Sequence, residues 1–191
     1  LKELGVKDSK KLSKKKRVSI EKKLKELLDD SITLKVKASE IDEMRKNKSL
    51  NQIECDNFIK MINALKPDKA IIDAPEANTV KIKNIIENNI TKTLRPKVDI
   101  VAENYADDNY PIVSAASILA KVTRDNSIES LERIHKKEIG IGYPSDKRTI
   151  DFLKRIIDEE GKYPDYVRKS WITAERIINE KNQNKLSNFC D

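Results

Sequence analysis

Residues 102–125, AENYADDNYPIVSAASILAKVTRD, decide how the rest of the chain is read. An apolar run, Val98 to Ala102, leads into two adjacent carboxylates, Asp107 and Asp108, and a helix starts just after them. Pro111 stands near its first turn, where a missing N–H costs nothing. Open α/β sheets hold ligands and metals just past the carboxyl ends of their strands. Ser114, Ala115, Ala116, Ser117 and Ala120 keep the helix slim, so a bulky group has room to approach its backbone. The stretch reads as a phosphate and metal site in an α/β fold.

Working backwards, Lys69-Ala-Ile-Ile72 is a short apolar strand followed at once by Asp73, and Thr79 to Asn88 reads as a helix. Two carboxylates, Asp73 and Asp107, therefore lie at or just past the ends of two buried strands separated by one crossover helix. In a parallel or mixed sheet those strand ends can be neighbours. Plainer readings stand beside this one. Asp73 before Ala-Pro is a good turn former, and an acidic pair such as Asp107 and Asp108 suits a solvated loop. Lys10, Lys11, Lys121, Arg124 and Lys169 are odd company for a bare acidic loop, but they fit a phosphate held by carboxylate-bound Mg²⁺.

The remaining elements alternate. Ser13 caps a helix over KKKRVSIEKKLKELLD with Val18, Leu24, Leu27 and Leu28 on one stripe. Ser31 to Lys37 sets Ile32, Leu34 and Val36 against Thr33, Lys35 and Lys37, the period of a half-buried strand. A short helix opens at Ser39, where Asp42 imitates a capping box, and a longer one covers Asn51 to Leu65 until Pro67. Tyr110 to about Lys136 is a long helix. Asp146 to Glu160, stopped by Gly161, and Tyr166 to Lys181, after Pro164, are two more. The order is mixed α/β, then all α.

Composition bounds the partners. A chain of 191 residues suits one domain with a small appendage, and 39 Lys plus Arg against 32 Asp plus Glu give a net charge of +7, which suits a polyanionic partner. Cys55 and Cys190 have neither metal-ligand nor CxxC spacing, and no apolar run approaches the ~18 residues that span a bilayer, so a reducing cytoplasm is expected. GIGYPSD at 140–146 carries two of the four glycines and presents Tyr143, which can stack on a sugar or base or simply half-bury in a connector. Trp171 reads as a core anchor, His135 as a lone histidine without a partner, and Lys14 to Lys16 as a solvated face.

Taken together and in order, GVKDSKKLS at 5–13, IDAP at 72–75, YADDNYPIVSAASILAKVTRD at 105–125, GIGYPSD and RKSW at 168–171 resemble ribonuclease HII, the type 2 ribonuclease H, in its archaeal form. The resemblance covers essentially the whole chain. It implies a ribonuclease H-like mixed sheet flanked by helices, a catalytic core over 1–137, a helical C-terminal extension over 138–181 and a flexible tail over 182–191. It implies endonucleolytic hydrolysis of RNA in RNA–DNA hybrids and at ribonucleotides embedded in DNA, during replication and repair. Two Mg²⁺ or Mn²⁺ ions would serve as cofactors, and the protein would act as a monomer without membrane attachment.

Carried over residue by residue, the resemblance makes Asp73 and Asp107 metal-binding catalytic carboxylates and Tyr143 the side chain that packs on the sugar at the RNA to DNA junction. Lys10, Lys11, Ser114, Ser117, Lys121, Arg168 and Lys169 would line the phosphate track. The family's other two carboxylates form an Asp-Glu pair in its first strand, ahead of a Gly-Arg-Gly loop, and neither motif occurs in this sequence. The expectation is an N-terminally truncated chain, without the first strands, that is inactive or nearly so by itself. The alternative class is a basic nucleic-acid-binding module without catalysis, which composition alone favours. Separately, Gln183, Leu186 and Phe189 resemble the sliding-clamp-binding peptide, with Cys190 in place of its second aromatic.

Overall fold

The computed structural model describes residues 1, 5–6, 12–95 and 97–187, with side chains through residue 183. Among these the chain forms α1 (Lys14–Leu27), α2 (Ala38–Arg45), α3 (Leu50–Leu65), β1 (Lys69–Asp73), α4 (Thr79–Asn89), β2 (Asp99–Glu103), α5 (Ala106–Asn109), α6 (Pro111–His135), α7 (Lys147–Glu160) and α8 (Ile172–Ser187). None of these helices is long and apolar enough to cross a membrane. Two compact units result, Leu1–Leu34 with Ser49–Arg124, and Lys35–Lys48 with Asp125–Asp191.

In the first unit β1 and β2 pair in parallel, from Lys69 opposite Asp99 to Asp73 opposite Glu103. A parallel pair needs a crossover, and α4 supplies it. Ile82 and Ile86 of α4 bury against Ile72, Ile100 and Val98, with Cys55 and Ile62 of α3 beneath. Each isoleucine so buried is worth about 1.5–3 kcal/mol. Local chemistry sets the helix starts. The Ser49 hydroxyl accepts from Gln52 N at 3.2 Å while Gln52 returns a contact to Ser49 N at 2.7 Å, and Asn78 accepts from Lys81 N at 3.0 Å. Ser13 caps α1, whose Ile20 and Leu24 pack on Ala115, Ile118 and Val122 of α6.

The second unit is helical. Phe152, Leu153, Ile156 and Ile157 form one face of α7 and meet Ala174 and Ile177 of α8, with Tyr163 and Val167 from the connection between them. Trp171 is partly buried against this core, as an anchor should be. The His135 and Tyr166 rings stack with centroids 4.4 Å apart.

Several expectations need correction. Ser31 to Lys37 belongs to no strand: Leu34 is 42% exposed and the segment enters no ladder among the described residues, where β1 and β2 form a parallel pair. The division between the two units falls inside α6, where Ile128 and Leu131 pack on the α7 core. Helix α8 starts at Ile172, not Tyr166, and runs through Ser187, into the segment expected to be a tail. Asp42 does not cap α2; Glu40 does, accepting from Lys37 N at 3.1 Å.

Candidate active site

The two strands leave the sheet side by side. Ala74 N donates to Glu103 O at 2.8 Å, extending the ladder one residue beyond Asp73. Asn104 Nδ2 then donates to Ala74 O at 3.3 Å and Glu76 O at 2.9 Å, tying the loop after β1 to the end of β2. Tyr105 follows in the left-handed conformation, φ 58° and ψ 35°, which costs an L-residue about 1–2 kcal/mol. That reversal turns Ala106 N back toward β1, where it donates to Asp73 Oδ1 at 3.2 Å. The Asp73 carboxylate therefore lies against the residue that precedes Asp107.

The single turn of α5 separates the acidic pair. Asp107 is 6% exposed and Asp108 is exposed, so the turn holds one acid inward and leaves the other in solvent. Two further contacts fix this turn. Ser114, 1% exposed, donates its hydroxyl to Asp107 O. Tyr110 OH donates to Glu103 Oε1 at 2.7 Å, bridging the residues on either side of α5. That hydrogen bond, then burial, then the Glu103 charge, raise the Tyr110 hydroxyl above its ordinary value of 10.0.

Helix α6 carries two stripes one residue apart. Ala115, Ile118 and Val122 face the core with α1, while Ser114, Ser117 and Lys121 share the adjacent stripe, at the spacing that stacks side chains on one face. Ser117 and Lys121 are half-buried; Ser114, expected on the phosphate track, is buried and spends its hydroxyl on Asp107. Lys10 and Lys11 lie outside the described residues, as do Phe189 and the side chain of Leu186.

The second unit holds Tyr143, Arg168 and Lys169. Asp146 caps α7 and organises the glycine loop, its Oδ2 accepting from Thr149 N at 3.1 Å, Thr149 Oγ1 at 3.2 Å and Ile141 N at 3.3 Å. Burial alone would raise this carboxyl, but those hydrogen bonds and nearby Arg148 outweigh it and hold it below 3.8. Gly140 has φ 87°, and a β-carbon there would meet Asp146 Oδ2 at 2.5 Å and Thr149 N at 2.9 Å, so only glycine fits. Tyr143 stands out of this loop, 43% exposed. Pro144 O, next to it, accepts from Thr173 Oγ1 of α8 at 3.2 Å.

RKSW is pinned by a residue that sequence reading missed. Asp42 accepts from Lys169 N at 2.8 Å and Ser170 N at 3.0 Å, which fixes the loop that presents Arg168 and Lys169. Arg168 Nε donates to Ser170 Oγ at 3.2 Å, and exposed Lys169 reaches Asp165 at 3.3 Å. Nothing local signals this use of Asp42. Glu103, Tyr110 and Asn104 escaped for the same reason, since each acts through a partner reached only once the strands pair.

With this geometry in hand, likeness to known proteins is specific. The family model for ribonuclease HII matches residues 1–174. The ribonuclease HII of Thermococcus sibiricus is 44% identical over 97% of this chain and 83% of its own length. Among solved structures, the ribonuclease H2 of Pyrococcus horikoshii superposes with a TM-score of 0.83 at 38% identity, covering 94% of this chain and 82% of that one. The ribonuclease HII of Archaeoglobus fulgidus, solved in complex with PCNA, gives 0.81 at 35% over 92% and 82%. Bst-RNase HIII in complex with Mn²⁺, at 19% identity and a TM-score of 0.73 over 94% and 59%, shares the fold. The ordered motifs, the α/β core and these matches agree: the chain belongs to the ribonuclease HII family, endoribonucleases that act on RNA–DNA hybrids.

Proposed function

We propose that Asp73 and Asp107 are the metal-holding carboxylates of this hydrolase. The observation that supports the reading is the hydrogen bond from Ala106 N to Asp73, which holds the Asp73 carboxylate at the end of β1 against the residue before Asp107. Their oxygens are the hard donors that Mg²⁺ and Mn²⁺ prefer. Bst-RNase HIII, of the same fold, binds Mn²⁺. When bound, such ions supply Lewis acidity that activates water and stabilises the departing 3′-oxygen. The chain's own residues hold and orient. Ser114 and the Tyr110–Glu103 pair fix the turn of Asp107. Tyr143 packs on the sugar at the junction, and Ser117, Lys121, Arg168 and Lys169, with Lys10 and Lys11, follow the phosphates.

No group of three or more metal-ligating side chains assembles among the described residues. Two carboxylates offset half the charge of two divalent ions, so further anionic ligands complete the site. The test is cleavage of a DNA duplex carrying one ribonucleotide, in Mg²⁺ and in Mn²⁺. A cut confined to the ribonucleotide is expected; no cut, or equal cutting of all-DNA duplex, overturns the reading. Nothing beyond charge favours a non-catalytic binder.

The tail is proposed to bind a sliding clamp, in the cytoplasm where replication proceeds. The Archaeoglobus fulgidus relative forms a complex with PCNA, and here Gln183 is exposed on the last turns of α8. A synthetic peptide of residues 182–191 should bind an archaeal clamp, and Phe189→Ala should abolish it; equal binding by both peptides rules the tail out.

A further inference from the structure

Helix α1 spends charge where folding gains nothing from it. Its first turn, Lys14 to Lys16, holds no acid, although the amino end of a helix is itself positive and disfavours cations. Lys15, Lys16, Lys22 and Lys23 are all exposed, and among the described residues none forms an ion pair. Some lysines elsewhere are paired, Lys69 with Asp99, Lys81 with Glu76, Lys137 with Glu159 and Glu160, and Lys181 with Asp158, while Lys66, Lys92 and Lys154 are exposed and in no ion pair among the described residues; α1 differs in gathering four such lysines on one helix. At 3.6 residues per turn the four α1 lysines fall within about 120° of the helix surface, as two pairs each about 10 Å apart along the axis. The face is held in place from behind, since Ile20 and Leu24 pack on Ala115, Ile118 and Val122 of α6, the helix that follows Asp107.

We infer that this face of α1 is a second nucleic-acid contact, binding the sugar–phosphate backbone of the duplex outside the cleavage site. The inference rests on the hybrid-nuclease reading and adds to it a surface that reads no sequence and touches no reacting atom. Four ammonium groups in no ion pair among the described residues, with exposed Glu26 the one acid on their face, give a docked helix a net positive surface that matches a polyanion with one charge per ~1.7 Å of axis, and binding there releases counterions.

The measurement is the salt dependence of hybrid binding by the full chain, using a fluorescent hybrid of about 30 base pairs between 50 and 200 mM KCl. Each lysine on phosphate contributes a slope of about 0.9 in log affinity against log salt. K15Q/K16Q/K22Q/K23Q should therefore flatten the slope by 3 to 4, so that its loss of affinity over that range is smaller by on the order of 100-fold. A second variant removes the same charge from ion-paired lysines, K69Q/K81Q/K137Q/K181Q, and should change the slope by less than 1. If both variants flatten it equally, net charge explains the effect and the surface is refuted. An unchanged slope in the α1 variant also refutes it. Absence of hybrid binding by the wild-type chain sinks the nuclease reading along with it. If the α1 variant loses binding to phosphatidylserine vesicles but keeps the hybrid slope, the face belongs to a membrane and the inference fails.

Discussion

Asp107→Asn is expected to lower cleavage at a single ribonucleotide by about 10³-fold or more, while Asp108→Asn changes it less than about 3-fold. The two residues are neighbours of the same chemistry, so the contrast isolates geometry. Asp107 is buried on a turn braced by Ser114 and by the Tyr110–Glu103 hydrogen bond, next to the residue that holds Asp73. Asp108 faces water. A carboxylate that helps hold divalent ions contributes several kcal/mol of charge stabilisation in the transition state, and each 1.36 kcal/mol is tenfold in rate. Comparable losses in both variants would mean that α5 does not select one acid.

The second large effect is at Asp73. Asp73→Asn should also lower cleavage of the same substrate by about 10³-fold or more, because loss of a metal-holding anion withdraws charge compensation of that order. Hybrid affinity measured without divalent ions should change far less, since backbone contacts come from lysines and arginines already present. The assay is single-turnover cleavage by the wild-type chain and the variant at equal concentration. Full turnover by Asp73→Asn would show that the end of β1 supplies no metal ligand.

Much of this arrangement was legible in residues alone. Pro67 and the β-branched run before Asp73 mark β1, and the run before Glu103 marks β2, because short apolar strands at a turn have few other readings. Asp73 at the end of β1 and Asp107 just past β2 were visible as acids beside these strands for the same reason. Tyr105 was not, since a bulky aromatic is a poor candidate for the left-handed conformation and only the Ala106 to Asp73 hydrogen bond explains its use. The role of Asp42 spans 127 and 128 residues in sequence, beyond any local pattern. Ser31 to Lys37 misled because alternation shows that a segment has two faces, while a strand also needs a partner. Pro164 suggested too early a start for α8, whereas Asp42 holds Lys169 and Ser170 in an open loop first.

The most direct test of the paired acids is Mn²⁺ affinity, followed by electron paramagnetic resonance, for the wild-type chain, Asp73→Asn, Asp107→Asn and the double variant. Two carboxylates on one ion are coupled, so each single change should weaken binding at least about 10-fold and the double change should add little to the stronger single effect. Single effects that multiply in the double variant, or Mn²⁺ bound equally by all four proteins, would contradict a shared cation between the ends of β1 and β2.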